Sequence, residues 1–104
     1  MSSYEFDAPL WRWQARATDV WTFVSLPEAL SDELLELGEP YARGFGSLRV
    51  EVTVGSTVWR TSVFPDHGLR TFVLPVKRAV RDAERLALGE QAHVRLRLVD
   101  LEPR

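Results

Sequence analysis

Residues 57–81, TVWRTSVFPDHGLRTFVLPVKRAVR, carry the clearest information on the fold. Their pattern is typical of a strand, a turn, a second strand and a helix, with almost no connecting residues. The second strand stops at Leu74-Pro75, and an amphipathic stripe starts immediately after it. Proline has a fixed φ and no backbone N–H, so it suits the first position of a helix. We therefore predict a strand over 69–74 and a helix over 76–87 that Pro75 opens.

The same joint occurs earlier in the chain, at Leu26-Pro27. The segments 23–38 (FVSLPEALSDELLELG) and 72–89 (FVLPVKRAVRDAERLALG) both read Phe-Val, Leu-Pro, amphipathic helix and glycine. Chance similarity over a few residues is the alternative, but we favour a pseudo-twofold arrangement of two related units. The first helix is predicted over 28–37, with either Pro27 at its first position or Ser31 as an N-cap.

Residues 4–16 alternate apolar and polar side chains, but the phase slips by one residue just after Pro9. A slip of this kind indicates a β-bulge or a bend in one long strand. After a turn at Thr18-Asp19, residues 20–26 are apolar on both faces, which predicts a central strand. The apolar positions of the first strand fall on two opposite faces: Phe6, Ala8 and Leu10 on one, Trp11, Trp13 and Ala15 on the other.

Residues 47–64 predict a hairpin whose two-residue turn is Gly55-Ser56. This turn fixes the register, in which Val52 faces Trp59 and Glu51 faces Arg60. Trp59 and Val63 are predicted on the core face. The remaining predictions are an irregular, mobile loop over 39–46, a tight turn over 65–68 and a strand over 91–101.

The 104 residues are enough for one domain, and we expect 1–104 to form it, with frayed ends at about 1–3 and 102–104. The expected fold is mainly β with two short helices, in the order β-β-α-β-β-β-α-β. A net charge of -2 disfavours, but does not exclude, nucleic-acid binding. The absence of cysteine, of a long apolar run and of a signal sequence leads us to expect a cytoplasmic protein without a membrane span.

The sequence offers little for catalysis. His67 and His93 stand apart from any cluster with ligand spacing, so no metal site is expected. Ser62, Asp66 and His67 have the residue types of a hydrolase triad, but their placement in a strand and a turn suits a solvated turn better. The glycines at 44 and 46 lack the other residues of a phosphate loop. We expect no catalytic residues, no cofactor and no enzyme.

Two kinds of binding residue remain. The predicted helix after Pro75 has no capping side chain, and Lys77 and Arg78 lie in its first turn, where a bound anion would satisfy free N–H groups and balance positive charge. Water and solvated side chains are the simpler alternative. Four tryptophans, at 11, 13, 21 and 59, could stack on bases or sugars, although most aromatic residues in so small a domain belong to the core.

Four motifs recur in order along nearly the whole chain: WTFVSLP (21–27), RGFGSLRVEVTVG (43–55), TVWRTSVFP (57–65) and LPVKRAVRDAERLALGE (74–90). They resemble the family called domain of unknown function 1905. The resemblance implies a small double-split β-barrel, or pseudobarrel, capped at both ends by helices, and it supplies no established activity or catalytic residues. The same fold class includes AbrB/MazE-type DNA-binding regulators, which is an analogy of fold only.

Together these observations predict a non-enzymatic binding or interaction module. Its ligand is unknown, with an anion as one candidate, and its partner is a small molecule or a protein. The predicted chain is a monomer or a weak homo-oligomer. The alternative is a DNA-binding regulator that uses arginine-bearing faces (Arg49, Arg60, Arg95 and Arg97), and an enzyme ranks last. The predicted site residues are Arg60, Ser62, Lys77, Arg78 and Arg81.

Overall fold

A computed structural model of the chain describes residues 3–16, 19–66 and 68–101. The strands are β1 (Ser3–Arg16), β2 (Asp19–Ser25), β3 (Leu48–Val54), β4 (Thr57–Asp66), β5 (Thr71–Pro75) and β6 (Gln91–Leu98). The helices are α1 (Glu28–Gly38) and α2 (Arg78–Glu84), and three short 3-10 turns lie at Glu39–Tyr41, Gly44–Gly46 and Val99–Leu101. The predicted turn at residue 18, His67 and the predicted frayed ends at 1–2 and 102–104 lie outside the described residues.

The six strands form a closed barrel in the order β1-β2-β5-β4-β3-β6. All neighbouring strands are antiparallel. Alternate side chains of each strand point into the barrel and form one apolar core. The predicted fold class and element order are therefore confirmed.

β1 is one long strand that serves two parts of the barrel. As far as Pro9 it pairs with β6, and from Leu10 onward it pairs with β2. Pro9 thus lies where the strand changes partner, which is also where the apolar pattern of the sequence changes phase. The register irregularity between β1 and β2 lies further along, between Gln14 and Arg16, so the bulge is not at the proline.

The two Leu-Pro segments pair with each other about a local twofold relation. Val24 faces Leu74, the Leu26 N–H donates to the Phe72 carbonyl, and the Val76 N–H donates to the Thr22 carbonyl, both at 2.9 Å. Exchanging β1-β2-α1-β3 with β4-β5-α2-β6 leaves the strand order of the barrel unchanged. This topology has the predicted pseudo-twofold pattern. Because β2 and β5 are antiparallel, the helices that follow them start at opposite ends of the barrel.

α1 begins after Pro27, which is the extended N-cap residue and not the first helical residue. Leu34 is fully buried on the inner face of the helix. Ser31 is not the cap: it lies within the first turn, and its buried hydroxyl accepts a hydrogen bond from the Phe72 N–H at 3.0 Å. The helix ends at Gly38, where a Cβ would lie only 2.6 Å from a methyl group of Leu48, so close packing requires glycine.

The β3–β4 hairpin has the predicted register, with Val52 opposite Trp59 and Glu51 opposite Arg60. Gly55 has a φ of 58°, which suits the predicted turn. Val63 is buried in the core, as predicted. Trp59 packs against the core but is only partly buried. Its Nε1 is buried and has no hydrogen-bond partner among the described residues.

The turn between β4 and β5 lies later in the chain than the predicted turn over 65–68. β4 continues through Pro65 to Asp66, which pairs with Thr71, and β5 begins there and not at Leu69. The Asp66 carboxylate accepts a hydrogen bond from the Leu69 N–H at 3.1 Å, which holds the connecting turn. Arg70 completes that turn with a φ of 58°.

α2 is shorter than predicted, with seven residues, and Pro75 ends β5 instead of opening the helix. The reason is tertiary: the Val76 N–H is bonded to β2, and Lys77 remains extended as the N-cap residue. The helix stops at Arg85, whose φ is 55°. Val76 and Val80 are still buried against the barrel, as the apolar stripe predicts.

β2 lies between β1 and β5, as predicted for a central strand, but its apolar outer face is not buried. Its inner face, which includes Thr22 and Val24, lies in the core, whereas Trp21 on the outer face is 53% exposed. The physical reason is closure, because a closed barrel has only one inside and its outer face needs a separate covering layer. No described element covers the outer face of β2 at Trp21.

Candidate functional site

Aromatic side chains of neighbouring strands form a concave patch on the outside of the barrel. We call this patch the aromatic groove, and its volume is about 300 Å³. The groove lies across β1, β2, β5 and β4, away from the core. It is lined by Trp11, Trp13, Trp21, Phe23, Phe64, Asp66 and Val73.

The strand register brings these side chains together. Trp13 lies directly opposite Trp21, and Trp11 lies opposite Phe23, so two successive cross-strand aromatic pairs share the outer face. Val73 is paired with Phe64 on the next two strands. Val73 points outward but is only 5% exposed. It lines the groove together with the aromatic side chains, and its low exposure places it at the bottom of the groove.

Parts of the groove are held rigidly. The Trp11 Nε1–H donates to the Ser25 hydroxyl at 2.9 Å, which fixes the orientation of that indole. The rings of Trp21 and Phe23 are stacked, with centroids 6.1 Å apart and an angle of 9° between their planes. The rings of Trp11 and Phe23 are 5.2 Å apart. A ligand would therefore meet walls that are already ordered.

Three rings of the groove remain open to solvent. Trp13 is 46% exposed, Trp21 is 53% exposed and Phe64 is 39% exposed. Cross-strand aromatic pairs also stabilise a hairpin, by roughly 0.2–1 kcal/mol each, and this role accounts for the pairing on β1 and β2. It does not account for Phe64, which comes from a different part of the sheet and closes the far side of the groove.

Asp66 supplies the only charge among the described residues that line the groove. One of its carboxylate oxygens, Oδ1, accepts the hydrogen bond from the Leu69 N–H. The other oxygen, Oδ2, has no hydrogen bond or ion pair with any described residue. The carboxylate is thus anchored through one oxygen, and no described residue occupies the other.

The five predicted site residues fall into two groups. Arg60 and Ser62 lie on the outer face of β4, and the Arg60 Nε–H donates to Glu51 at 3.3 Å. Lys77 is the N-cap residue of α2 by position, and Arg78 and Arg81 lie within the helix. The Arg78 side chain is 3.7 Å from Asp82, and the Arg81 Nε–H donates to the Val76 carbonyl at 3.3 Å. Among the described residues, the hydrogen bonds and ion pairs of the β4 group and of the α2 group thus have no partner in common.

The start of α2 has no side-chain cap, as the sequence predicted. Lys77 now stands at the N-cap and Arg78 at the first helical position, because the helix begins later than expected. Seven residues give only a short helix, so its dipole and its set of free N–H groups are correspondingly small. Anion binding at this position stays a prediction.

The arginine-bearing faces are charge-balanced. On the outer surface of β1, β6, β3 and β4, each arginine of the predicted DNA-binding set is paired with a carboxylate. Glu51 lies between two of them, and its hydrogen bonds, first with Arg97 and then with Arg60, lower the pKa of its carboxyl group. The pairs are Arg49–Asp100, Arg60–Glu51, Arg95–Glu5 and Arg97–Glu51.

A family model described as Domain of unknown function (DUF1905) matches residues 6–96. The chain belongs to this family. The match covers both Leu-Pro units and every strand of the barrel at least in part, and it confirms the resemblance of the sequence motifs. The comparison with curated proteins found no match.

This DUF1905 barrel has a second depression that sequence reasoning missed. It measures about 620 Å³ and lies between α1, the 39–46 loop and the end of β4. Phe45 lines it, is 97% exposed and has a φ of 60°. The two glycines beside Phe45 were the only sequence signal for an unusual backbone here. The predicted mobility of this loop stays a prediction.

The described residues give little support for a metal site or a membrane-crossing helix. Among residues 3–16, 19–66 and 68–101, no group of three His, Asp or Glu side chains is placed to hold a metal ion. Neither α1 nor α2 has the length and apolar character that a membrane-crossing helix needs. His67, which the sequence placed beside Ser62 and Asp66 as a weak triad candidate, lies outside the described residues.

His93 on β6 bridges two carboxylates of β1. Its Nδ1 lies 2.8 Å from Asp7 and its Nε2 lies 3.0 Å from Glu5. The hydrogen bonds to Glu5 and then to Asp7 raise the pKa of His93 above its usual value of 6.5. This part of the surface therefore gains a positive charge more readily in the folded chain than in the unfolded chain.

We expect this histidine to make stability depend on pH. A raised pKa means that its contribution is complete below about pH 6.5 and is lost as the pH rises through the higher folded value. Urea unfolding measured between about pH 6 and about pH 9 should show falling stability for the wild type, and the fall should flatten in His93→Gln. An equal slope in both proteins would contradict this assignment.

Proposed function

We propose that the chain is a non-enzymatic binding module that holds its ligand in the aromatic groove. The observation that carries the proposal is the exposure of Trp13, Trp21 and Phe64 around one concave surface. Large aromatic side chains in a small domain are usually buried, and a concave exposed cluster is typical of a binding surface. The groove therefore suits a ligand with a flat or compact apolar part.

The lining of the groove favours binding over catalysis. Acid–base catalysis needs at least one positioned group with a suitable pKa, and most mechanisms use two that act together. Among the described residues of the groove, Asp66 is the only one with an acidic or basic side chain. Its partner is a backbone N–H of the adjacent turn, which supports a structural and binding role.

DNA binding ranks below ligand binding. A DNA-binding face needs lysines and arginines that are free to displace counterions from phosphates. Here Arg49, Arg60, Arg95 and Arg97 alternate with acids and are paired with them. The fold analogy with DNA-binding regulators supplies no such surface, and the net charge of -2 adds to the argument.

A thermal-shift screen tests the proposal. The panel contains nucleosides, mono- and disaccharides, and ammonium compounds such as choline. We expect at least one class to raise the melting temperature of the wild type, since ligand binding to the folded state stabilises it. Trp21→Ala should abolish that rise, because it removes a ring of the groove wall.

Val58→Ala is the matched control. Val58 is also an outer-face residue, 57% exposed, but it lies at the opposite end of β4 from Phe64 and does not line the groove. This variant should keep the full rise in melting temperature. The proposal fails if no compound of the panel shifts the wild type, or if Trp21→Ala, shown to be folded by circular dichroism, retains the rise.

A further inference from the structure

We infer that the ligand of the aromatic groove carries a quaternary or methylated ammonium group. This inference rests on the proposed binding function and specifies the class of ligand. It combines two observations: five aromatic side chains line one small space, and the single charge among the described lining residues is negative.

The ring faces supply the first attraction. An aromatic face carries partial negative charge, and tryptophan is the aromatic side chain that attracts cations most strongly. Three of the seven described lining residues are tryptophans, and two are phenylalanines. Trp21 and Phe23 are nearly parallel, with an angle of 9° between their ring planes. A group of aromatic faces is the arrangement that proteins use to recognise quaternary ammonium ions.

The Asp66 carboxylate supplies the second attraction. Its Oδ2 is free of hydrogen bonds and ion pairs with the described residues, so none of these residues neutralises its charge. A cation placed against the rings would lie beside a fixed negative charge in a partly desolvated space. In such surroundings the attraction between opposite charges is stronger than it is in bulk water.

The small number of polar groups in the groove disfavours uncharged polar ligands such as sugars. A sugar presents several hydroxyl groups, and each loses free energy if it leaves water without a hydrogen-bond partner. Among the described lining side chains, Asp66 alone offers oxygen acceptors, and the Trp11 N–H is already bonded to Ser25. A quaternary ammonium group has no N–H to satisfy, so this lining suits it better.

The size of the groove fits a head group. Its volume of about 300 Å³ lies at the small end of ligand sites, which span roughly 300–1,000 Å³. A compact trimethylammonium group fits within such a space and leaves room for the atoms next to it. The remainder of the ligand would project into solvent.

The test compares choline with 3,3-dimethyl-1-butanol, in which a carbon atom replaces the charged nitrogen and the shape is kept. Isothermal titration calorimetry on the full chain should give a dissociation constant for choline about tenfold lower than for the neutral compound. Asp66→Asn should weaken choline binding several-fold and leave the neutral compound unaffected. The asparagine oxygen can still accept the Leu69 N–H, so the turn is preserved.

The outcomes separate this inference from the proposed function. Equal binding of choline and 3,3-dimethyl-1-butanol overturns the cation inference but leaves the groove as an apolar binding site. The cation inference is also overturned if choline does not bind while a sugar or nucleoside does. If none of the compounds binds the wild type, the proposed function is rejected as well. A peptide with trimethyllysine identifies the source of the group: tighter binding than choline points to a protein side chain, and equal or weaker binding points to a free metabolite.

Discussion

Replacing Trp59 with alanine is expected to lower the free energy of unfolding by about 3 kcal/mol. Removal of a core tryptophan typically costs about 3–5 kcal/mol, and the lower end applies because Trp59 is only partly buried. The loss comes from apolar area returned to water and from the space left beside the core residues of β3. Urea unfolding followed by far-UV circular dichroism measures it without depending on tryptophan fluorescence.

Two further variants make this expectation specific. Trp59→Phe keeps an aromatic ring and removes the Nε1–H, which has no partner among the described residues, so its loss should be clearly smaller. Val58→Ala, on the outer face of the same strand, should cost less than about 1 kcal/mol. The packing described for β4 is wrong if Trp59→Ala costs no more than Val58→Ala.

Replacing Ser31 with alanine is expected to lower the free energy of unfolding by about 1–2 kcal/mol. The change leaves the Phe72 N–H without its acceptor in a buried place, at a cost of about 1–3 kcal/mol. The better helix propensity of alanine returns about 0.5 kcal/mol of this. Hydrogen exchange gives a second measurement, since the Phe72 amide should exchange faster in the variant.

Glu33→Ala provides the comparison on the same helix. Glu33 is exposed, so its replacement should change the free energy of unfolding by no more than about 0.5 kcal/mol and should leave exchange at Phe72 unaltered. If Ser31→Ala behaves like Glu33→Ala in both measurements, the hydroxyl does not connect α1 to β5.

The parts of the fold that local chemistry determines could be predicted from the sequence. Gly55-Ser56 limits the hairpin to one register, and all the pairs derived from it are present, including Glu51 with Arg60. The two Leu-Pro joints indicated two related units, and the strands that end in them pair with each other. In each case a turn residue or a proline restricts the backbone independently of the rest of the chain.

The parts that depend on distant contacts could not be predicted in the same way. The start of α2 is displaced because the Val76 N–H bonds to Thr22, a residue more than fifty positions away in the sequence. The turn after β4 is displaced because Pro65 still pairs with Phe72. Helix periodicity and turn composition contain no information on either bond.

The residues of the aromatic groove also divide into those that the local sequence predicts and those that depend on distant contacts. The opposite phase of Trp11 and Trp13 relative to Phe6 and Leu10 was visible in the sequence, and it placed these tryptophans on the other face of β1. Apolar residues on both faces of β2 suggested a buried strand, but closure of the barrel leaves Trp21 outside. Phe64 and Asp66 line the same groove because β4 continues to Asp66 and pairs with β5 along this stretch. The turn predicted over 65–68 excludes that pairing, so the sequence did not predict their place in the groove.

The indole N–H signals of the four tryptophans offer the most direct test of the aromatic groove as the binding site. The ¹⁵N-labelled chain is titrated with choline, and separately with the panel compound that raises the melting temperature most. We predict that the signals of Trp13 and Trp21 move in a saturable way, while that of Trp59, which packs against the core, stays in place. Movement of Trp59 with the groove signals unchanged, or no movement of any indole signal, would contradict the account.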